Sequence, residues 1–189
     1  MKATRNEKAI LEKLPKSKHI NALLDYYENT EFDRAYLVLE NAGEKTLHHF
    51  VKQNQSGVEL EQIKSIMRQL CQAIEFLHHN KICHRDLKPD NMMITKHPDN
   101  QITIKLIDFN IAFDFSEQSE IFGAEGLRHW SAPETRKLGA YNESCDLWSL
   151  GCILYLLCTG HKPFDDNEPM LKDNQIEEAT KKFSSHKDY

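Results

Sequence analysis

The sequence predicts an α+β fold in which a small strand-forming part precedes a mostly helical part. Residues 19–27 and 35–40 are predicted to form strands, whereas apolar side chains in residues 60–79 recur at steps of three and four, the period of an amphipathic helix. Residues 147–158 form an apolar run that fits a buried helix and is shorter than the roughly 20 residues needed to cross a bilayer. Strands followed by helices are typical of an α+β domain.

The composition indicates a soluble globular protein and argues against a general binder of nucleic acid or acidic membranes. Apolar residues make up 40% of the 189-residue chain and charged residues 28%. The net charge of -5 argues against nucleic acid or an anionic membrane as a partner. The five cysteines contain no CxxC pair, which argues against a disulfide framework or a structural zinc site. We therefore expect a reducing, intracellular setting such as the cytoplasm.

The first third of the chain is predicted to contain a helix, strands and a hinge. Residues 4–14 carry an apolar stripe that ends at Pro15, which indicates a helix. Residues 35–40 are apolar almost throughout, so we expect a strand that is buried on both faces. Residues 41–43 interrupt this pattern, and we place a hinge there.

A hairpin is predicted to bring two potential metal ligands together. Residues 92–95 and 101–107 are expected to pair as antiparallel strands, joined by a turn at residues 98–100. Because a hairpin folds back on itself, Asn91 before the first strand and Asp108 after the second should lie side by side. An amide oxygen and a carboxylate are hard ligands of the kind that Mg²⁺ prefers.

The segment before this hairpin concentrates charged side chains in a short connection. Residues 84–91 read His-Arg-Asp-Leu-Lys-Pro-Asp-Asn and lie in the short connection between the long predicted helix and the hairpin. Asp86 can accept a proton from an incoming hydroxyl, and Lys88 can neutralise charge on a phosphoryl group. Together with the metal ligands, these side chains predict a site for phosphoryl transfer.

These residues also carry a family resemblance. Residues 84–91 match the protein-kinase catalytic-loop pattern H-R-D-L-x-x-x-N, residues 108–110 take the place of D-F-G, and residues 132–134 supply A-P-E. Residues 146–151 look like the buried helix that follows in that family. Because several motifs occur in the family's order, the chain resembles a protein kinase of the Ser/Thr type, most firmly over residues 35–165.

The resemblance implies a fold and an activity. Residues 1–41 would be the remnant of the kinase N-lobe with its hinge, and residues 42–189 would be a C-lobe that is incomplete at its C-terminal end. The implied reaction transfers the γ-phosphoryl group of ATP, with Mg²⁺, to a serine or threonine of a protein substrate. Residues 146–166 resemble kinases of the calcium/calmodulin-dependent type.

The resemblance also assigns roles in catalysis and metal binding. Asp86 would be the catalytic base, and Lys88 would contact the γ-phosphate as another catalytic residue. Asn91 would serve both catalysis and the metal, which it would hold together with Asp108. Asp146 would bind the backbone of the catalytic loop from below.

The nucleotide pocket implied by the resemblance draws on three parts of the chain. Leu39 would be the gatekeeper, and Glu40 and Ala42 would offer backbone groups to adenine. Met93 would form the floor of the adenine pocket, and Ile107 would line it beside Asp108.

Two further features of the N-terminal helix and the core follow from the resemblance. Glu7 resembles the helix glutamate that pairs with an ATP-binding lysine, although Thr4-x-x-Glu7 also fits a capping box, in which the glutamate bonds a backbone N–H. Four side chains would stack as an internal spine: His84, Phe109, Leu11 and Leu23.

The sequence departs from the family pattern at several positions. No Gly-rich loop and no strand lysine precede Glu7, so we expect weak nucleotide binding or none. Asn110 replaces a glycine, at a turn where asparagine tolerates left-handed backbone. Leu127 stands in place of a threonine that bonds the catalytic base, and Glu134 lacks the arginine that would pair with it. Without that partner, we expect Glu134 to be a buried carboxylate whose burial is costly. Because the family's last helices are missing here, we also expect apolar surface to be exposed and the chain to be marginally stable.

Regulation and the alternatives complete the interpretation. Arg85 before Asp86 is typical of kinases that an upstream kinase activates, with Ser116 or Ser119 as the phosphorylated hydroxyl; each serine fits an ordinary loop position equally well. One alternative function is a pseudokinase-like binding module without catalysis. Another is a fragment of a longer kinase with no function of its own.

Overall fold

The computed structural model describes residues 1–54, 57–99, 101–118, 120–122, 129–136 and 140–164. Four α-helices lie in these ranges: α1 (Lys2–Lys13), α2 (Leu47–Gln53), α3 (Leu60–His79) and α4 (Cys145–Thr159). Seven strands accompany them: β1 (Leu23–Asn29), β2 (Arg34–Leu39), β3 (Lys45–Thr46), β4 (Ile82–Cys83), β5 (Met92–Lys96), β6 (Ile102–Leu106) and β7 (Phe113–Asp114). The arrangement is α+β, as predicted.

The strands pair into three small antiparallel sheets. Their orders are β1-β2, β3-β5-β6 and β4-β7. A short extended segment joins the end of β6: the Asn21 amide donates to the Leu106 carbonyl at 3.0 Å, and the Leu106 amide donates to the His19 carbonyl at 2.8 Å. These bonds connect the N-terminal third of the chain to the hairpin β5–β6.

Helix α1 begins earlier than the sequence pattern suggested. Met1 is its N-cap and no side chain caps it, so Thr4 lies inside the helix. The capping-box interpretation of Thr4 and Glu7 is therefore wrong. The helix ends at Lys13, and its C-cap Leu14 has extended backbone that leads into Pro15. The helix buries Ile10 against the core.

Strand β2 differs from its prediction. We expected burial on both faces, but Tyr36 is 51% exposed and Val38 is 40% exposed, whereas Leu37 and Leu39 are half-buried. The reason is that β1 and β2 form a two-stranded sheet, and among the described elements α1 packs against both strands. An apolar sequence alone does not reveal that only one face is covered.

Helix α3 matches its predicted bounds and forms the centre of the core. Six side chains on one face are buried: Ile63, Ile66, Leu70, Ala73, Ile74 and Leu77. Gln69 fastens the hairpin to this helix, since its Nε2 donates to the Ile102 carbonyl at 2.7 Å and its Oε1 accepts from the Ile104 amide at 3.1 Å.

The predicted hairpin is confirmed. Met92 pairs with Leu106 and Lys96 with Ile102, in an unbroken antiparallel register. Every second side chain points into the core, so Ile94 and Ile104 are buried, as are the two residues of the first pair. This register fixes which residues meet at the open end of the hairpin.

Helix α2 was not predicted. It starts at Leu47 because Thr46 caps it: the Thr46 Oγ1 accepts from the His49 amide at 3.3 Å. Leu47, Phe50 and Val51 bury one side at helical spacing. The signal was present but spans only seven residues.

Helix α4 is buried on one side only. Ile153 and Leu157 face the core, but Leu147 is 57% exposed and Leu154 is 41% exposed. The expectation of a buried helix therefore holds for one face, and the expectation of exposed apolar surface holds for the other. The helix ends at Gly160, whose φ of 72° is left-handed. Among the described helices, none is both long enough and apolar enough to span a bilayer.

Candidate active site

The backbone of the connection between α3 and β5 is held by one buried carboxylate. Asp146 of α4 accepts from the His84 amide at 2.9 Å, from the Arg85 amide at 3.0 Å and from the His78 Nε2 at 2.9 Å. These bonds stabilise an unusual backbone, because Arg85 has a φ of 66°. The predicted role of Asp146 beneath this loop has a direct geometric counterpart.

The charge on Asp146 is maintained in spite of burial. Burial alone would raise the pKa of this carboxyl, but the hydrogen bonds from the His78 side chain and from the His84 amide outweigh it, so that the pKa lies below its usual range. Burial lowers the pKa of the His84 ring despite the nearby carboxylates, and therefore disfavours the charged form of that ring. The loop is thus attached to an ionised group.

The three predicted catalytic residues form one hydrogen-bonded cluster. The Asp86 Oδ2 accepts from the Lys88 Nζ at 2.6 Å and from the Asn91 Nδ2 at 2.9 Å. The Asn91 Nδ2 also donates to the Asp86 carbonyl at 2.9 Å. The side chains of Asp86 and Lys88 are only 11% and 16% exposed, so their attraction is weakly screened. Both donors bond Oδ2, so Oδ1 of the same carboxylate takes no part in these two hydrogen bonds.

Asn91 and Asp108 lie at the same end of the hairpin. Strand β5 begins at Met92, directly after Asn91, and β6 ends at its partner Leu106, two residues before Asp108. The Ile107 amide donates to the Asn91 carbonyl at 3.0 Å. Asp108 follows directly, with a left-handed φ of 66° and a half-buried side chain. The amide nitrogen of Asn91 is bonded to Asp86, so the ligand that Asn91 would offer a cation is its Oδ1. An amide oxygen and a carboxylate fit Mg²⁺.

The segment after Asp108 is fastened to α1 by two side chains. The Glu7 carboxylate accepts from the Phe109 amide at 3.0 Å. The Asn6 Nδ2 donates to the Asn110 carbonyl at 3.1 Å and to the Ala112 carbonyl at 2.9 Å. Burial raises the pKa of Glu7, the Phe109 amide opposes this, and the charge on Asp108 adds to it.

Phe109 takes the position in the core that the predicted spine requires. Its side chain is fully buried, and its ring centre lies 4.7 Å from that of His84. Leu11 is buried in the same cluster, and Leu23 packs against it. The turn does not call on the left-handed tolerance of Asn110: the left-handed residue is Asp108, and Asn110 is not among the positive-φ residues of the described chain.

The predicted adenine contacts lie at and just after the end of β2, and on or just after the strands of the hairpin β5–β6. Leu39 ends β2, and the Glu40 amide donates to the Ala22 carbonyl at 2.9 Å. Ala42 follows and is half-buried, as are Met93 on β5 and Ile107 after β6. Their joint role as an adenine pocket stays a prediction.

The Glu40 side chain has partners that the sequence did not indicate. Its Oε1 accepts from the Ala22 amide at 2.9 Å and also from the Lys105 Nζ. Burial would raise the pKa of this carboxyl, but the Lys105 ammonium and the Ala22 amide lower it overall. These bonds hold the end of β2 against the hairpin.

In the described part of the chain, the side-chain contacts of Arg85 are with groups other than Ser116. Its Nε donates to the Ile111 carbonyl at 2.6 Å, and its guanidinium lies 5.4 Å from the centre of the Phe113 ring. Ser116 instead bonds Lys13 at 3.1 Å and Asp114 at 2.6 Å. The other candidate, Ser119, lies outside the described residues.

Two further predictions concern the segment around A-P-E. Glu134 lies in a short 3₁₀ helix, Pro133–Arg136, and is half-buried, so it does not carry the cost of full burial that we expected. The prediction for Leu127 falls outside the described residues.

One buried pair was missed by the sequence analysis. The Sγ atoms of Cys83 and Cys145 lie 3.5 Å apart, both in free cysteines. The contact with Cys145, together with burial and the nearby Asp146, raises the pKa of Cys83. Spacing gave no signal for this pair because 62 residues separate its members.

Comparison with known proteins decides the family. Residues 1–188 match the family described as the protein kinase domain. The chain belongs to the protein kinase family. This kinase chain is 33% identical, over 189 residues, to the phosphorylase b kinase gamma catalytic chain, liver/testis isoform, of Bos taurus. That alignment covers 97% of the kinase chain and 45% of the bovine protein.

Other Ser/Thr kinases match at similar levels. The kinase chain is 34% identical over 153 residues to MAP kinase-activated protein kinase 2 of Drosophila melanogaster, covering 79% of the chain and 42% of that protein. It is 36% identical over 164 residues to the serine/threonine-protein kinase TIO of Arabidopsis thaliana, covering 86% and 12%. The kinase chain thus spans less than half of each relative. Family membership implies ATP, a divalent metal ion and protein substrates as ligands of the family.

Proposed function

We propose that this chain supplies the catalytic loop and the metal ligands for transferring the γ-phosphoryl group of ATP to a serine or threonine hydroxyl of a protein. The observation that carries the proposal is the cluster of Asp86, Lys88 and Asn91, which are hydrogen-bonded to one another beside the end of the hairpin. Residues 1–41 would contribute the small lobe and its hinge, and residues 42–189 the larger lobe.

Asp86 is the proton acceptor in this proposal. Lys88 and Asn91 both bond its Oδ2, so its Oδ1 is the oxygen offered to the substrate hydroxyl. The proton would move from that hydroxyl to Oδ1 as the new oxygen–phosphorus bond forms. Lys88 lies close enough to the same place to stabilise negative charge on the transferring group.

Asn91 Oδ1 and the Asp108 carboxylate are the groups that would hold Mg²⁺. When bound, this ion neutralises charge on the phosphate oxygens. Two features hold the Asp108 carboxylate at the open end of the hairpin. They are the left-handed backbone at Asp108 and the hydrogen bond from the Phe109 amide to Glu7. The adenine would contact the hinge at Leu39, Glu40 and Ala42. On the side of the hairpin it would contact Met93 and Ile107.

The same proposal includes regulation and setting. An upstream kinase would act on Ser116 or Ser119, and the free cysteines fit a reducing, intracellular environment. Lys13 already contacts the Ser116 Oγ and would pair with a phosphate attached there, which supports this serine as the phosphorylated residue.

The direct test is phosphate transfer from labelled ATP to serine-containing peptides. Asp86→Asn should lower the rate by about 10²- to 10⁴-fold, since it removes the general base while the hydrogen-bonding shape stays similar. Asp99→Asn, at an exposed turn, is the matched control and should leave the rate unchanged. Equal rates in both variants would refute the proposal.

A second candidate is a pseudokinase-like binding module. The Glu7 carboxylate favours it, because in the described structure this group accepts from the Phe109 amide at 3.0 Å, where the kinase resemblance implies a lysine partner. A thermal-shift titration with Mg²⁺ and ATP separates the two functions. A shift that Asp108→Asn abolishes supports the kinase, whereas no shift and no transfer support the binding module.

A further inference from the structure

The residues that follow Asp108 form a tight turn inside the protein. The Ala112 amide donates to the Phe109 carbonyl at 3.1 Å, and this bond closes the turn over residues 109–112. The side chains at both ends of the turn, Phe109 and Ala112, are buried. Because water does not reach a buried backbone freely, the other carbonyl groups of the turn need donors from the protein.

One side chain of α1 supplies two of these donors. The Asn6 Nδ2 donates to the Asn110 carbonyl at 3.1 Å and to the Ala112 carbonyl at 2.9 Å. A side-chain amide carries two N–H groups, so a single asparagine can satisfy two carbonyl groups at once. The next residue, Glu7, accepts from the Phe109 amide at 3.0 Å. Two consecutive residues of α1 therefore hold the turn at its beginning and at its end.

The catalytic loop supplies the remaining donor. The Arg85 Nε donates to the Ile111 carbonyl at 2.6 Å, and the Arg85 amide is itself bonded to Asp146 at 3.0 Å. Each of the four carbonyl groups from Phe109 to Ala112 thus has a hydrogen-bond donor. Two of the four donors are the N–H groups of one α1 side chain, so the loss of that side chain would leave half of the carbonyl groups unpaired.

The backbone at Asp108 depends on what holds the residues around it. On its hairpin side, the Ile107 amide bonds the Asn91 carbonyl at 3.0 Å; on the other side lies the turn, which begins at Phe109. The φ of Asp108 is 66°, a left-handed value that residues with a Cβ seldom adopt. Such a backbone persists only where the surrounding structure holds it in place.

We propose that Asn6 is a positioning residue for the metal ligand Asp108. Its two hydrogen bonds hold the turn against α1, and the turn in turn holds the Asp108 carboxylate beside Asn91, where Mg²⁺ would bind. This inference rests on the proposed function and adds a residue of α1 on which its metal site depends. Asn6 and Asn110 are 104 positions apart, so no spacing along the chain indicates their contact.

The test compares three variants of the whole 189-residue chain. Asn6→Asp replaces the donating Nδ2 with a carboxylate oxygen, which repels the two carbonyl groups. Asn6→Ala removes the donors without adding a charge, and alanine is the best helix former, so this variant should keep α1 folded. Asn29→Asp is the matched control, because the exposed Asn29 uses its Oδ1 to accept from the Phe32 amide at 3.1 Å, and aspartate retains that acceptor.

The first readout is the affinity for Mn²⁺ alone, from electron paramagnetic resonance of the free ion, at a temperature where circular dichroism shows each variant to be folded. Binding at the site is the part that Asp108→Asn abolishes. Both Asn6 variants should raise its dissociation constant about tenfold or more, and Asn29→Asp should leave it unchanged. By charge alone, Asn6→Asp would attract the cation, so weaker binding reports the position of the ligand. Unchanged affinity in both Asn6 variants, or an equal loss in the control, would overturn the inference.

Amide hydrogen exchange separates this inference from the proposed function. The amides of Phe109 and Ala112 should exchange about tenfold faster in the Asn6 variants than in Asn29→Asp, because the turn loses its bonds to α1. If the parent binds Mn²⁺ through Asp108 and the Asn6 variants bind it equally well, the function stands and the inference fails. If the parent binds no Mn²⁺ through Asp108, the proposed function fails. Faster exchange then supports Asn6 as the residue that holds the turn, and unchanged exchange overturns that role too.

Discussion

At the scale of single residues, the site depends on carboxylates that differ in what surrounds them. Asp146 accepts hydrogen bonds from two loop amides and a histidine. Glu7 is buried, accepts a hydrogen bond from one amide and lies near the charge of Asp108. The surroundings of Asp146 lower its pKa, and those of Glu7 raise its pKa. The two groups should therefore respond to mutation and to pH in opposite directions.

Asp146→Asn should strongly destabilise the fold. Asparagine offers one oxygen where the carboxylate accepts three hydrogen bonds, and it leaves a buried donor unsatisfied, so we expect a loss of about 2–4 kcal/mol in the free energy of unfolding. Urea denaturation measures it, with Asp99→Asn as the exposed control. Because the pKa of Asp146 is lowered by folding, its stabilisation is present above about pH 4 and is lost as the pH falls further. A loss below 0.5 kcal/mol would contradict this role.

Glu7→Gln should have the opposite effect at neutral pH. Glutamine keeps an oxygen for the Phe109 amide and removes the buried charge beside Asp108. A carboxyl whose pKa is raised by folding stabilises the folded state below its unfolded value and loses that contribution as the pH rises through the folded value. The variant should therefore be more stable than the parent at pH 7, and the difference should shrink as the pH falls through the raised folded value and vanish below about pH 4.5. Thermal unfolding across this range tests it; a variant less stable at pH 7 would contradict the pKa direction.

The part of the site that a sequence can predict is the part fixed by local register. Asn91 and Asp108 flank a hairpin, so their proximity follows from strand pairing alone. The bond from Phe109 to Glu7 joins residues 102 positions apart, and no periodicity encodes it. The contact between Cys83 and Cys145 is missed for the same reason.

At the scale of elements, regular hydrophobic spacing was the reliable signal. Helix α3 repeats apolar side chains over 20 residues, and its predicted bounds are the observed ones. Helix α2 has the same spacing over only seven residues, too few to stand out. The exposure of β2 could not be predicted because it depends on which elements cover the sheet, and that is a property of the tertiary fold.

Two glycines, Gly151 inside α4 and Gly160 directly after it, provide a matched test of where the helix ends. Gly160→Ala places a Cβ at a left-handed position and should cost about 1–2 kcal/mol. Gly151→Ala lies inside the helix and should stabilise by about 0.5–1 kcal/mol. An added Cβ meets nothing within 4 Å at either site, so packing does not enter the comparison. Chemical denaturation of both variants measures the two signs; effects of the same sign would contradict the observed end of the helix.

At the scale of the whole molecule, the described part buries one large cluster and leaves two apolar faces open. One face is the outer side of β1–β2, with Tyr36 and Val38; the other is the outer side of α4, with Leu147 and Leu154. Exposed apolar faces promote association. The chain, with its negative charge and short sheets, is therefore expected to be marginally stable when isolated.

Neighbouring positions on α4 separate the open face from the core. Leu154→Glu should leave the fold intact and reduce self-association, because this side chain already meets solvent. Ile153→Glu should unfold the chain, because Ile153 is fully buried and an unpaired charge there costs several kcal/mol. Light scattering and circular dichroism distinguish the two; similar behaviour of both variants would contradict the assigned orientation of the helix.

The most direct measurement is anomalous diffraction from crystals of the chain grown with Mn²⁺, as a stand-in for Mg²⁺, and a non-hydrolysable ATP analogue. We predict a manganese peak at about 2.0–2.3 Å from both the Asn91 Oδ1 and the Asp108 carboxylate, with the terminal phosphate near Asp86. A nucleotide bound with its metal on other side chains, or no metal and no nucleotide at this end of the hairpin, would contradict a phosphoryl-transfer site.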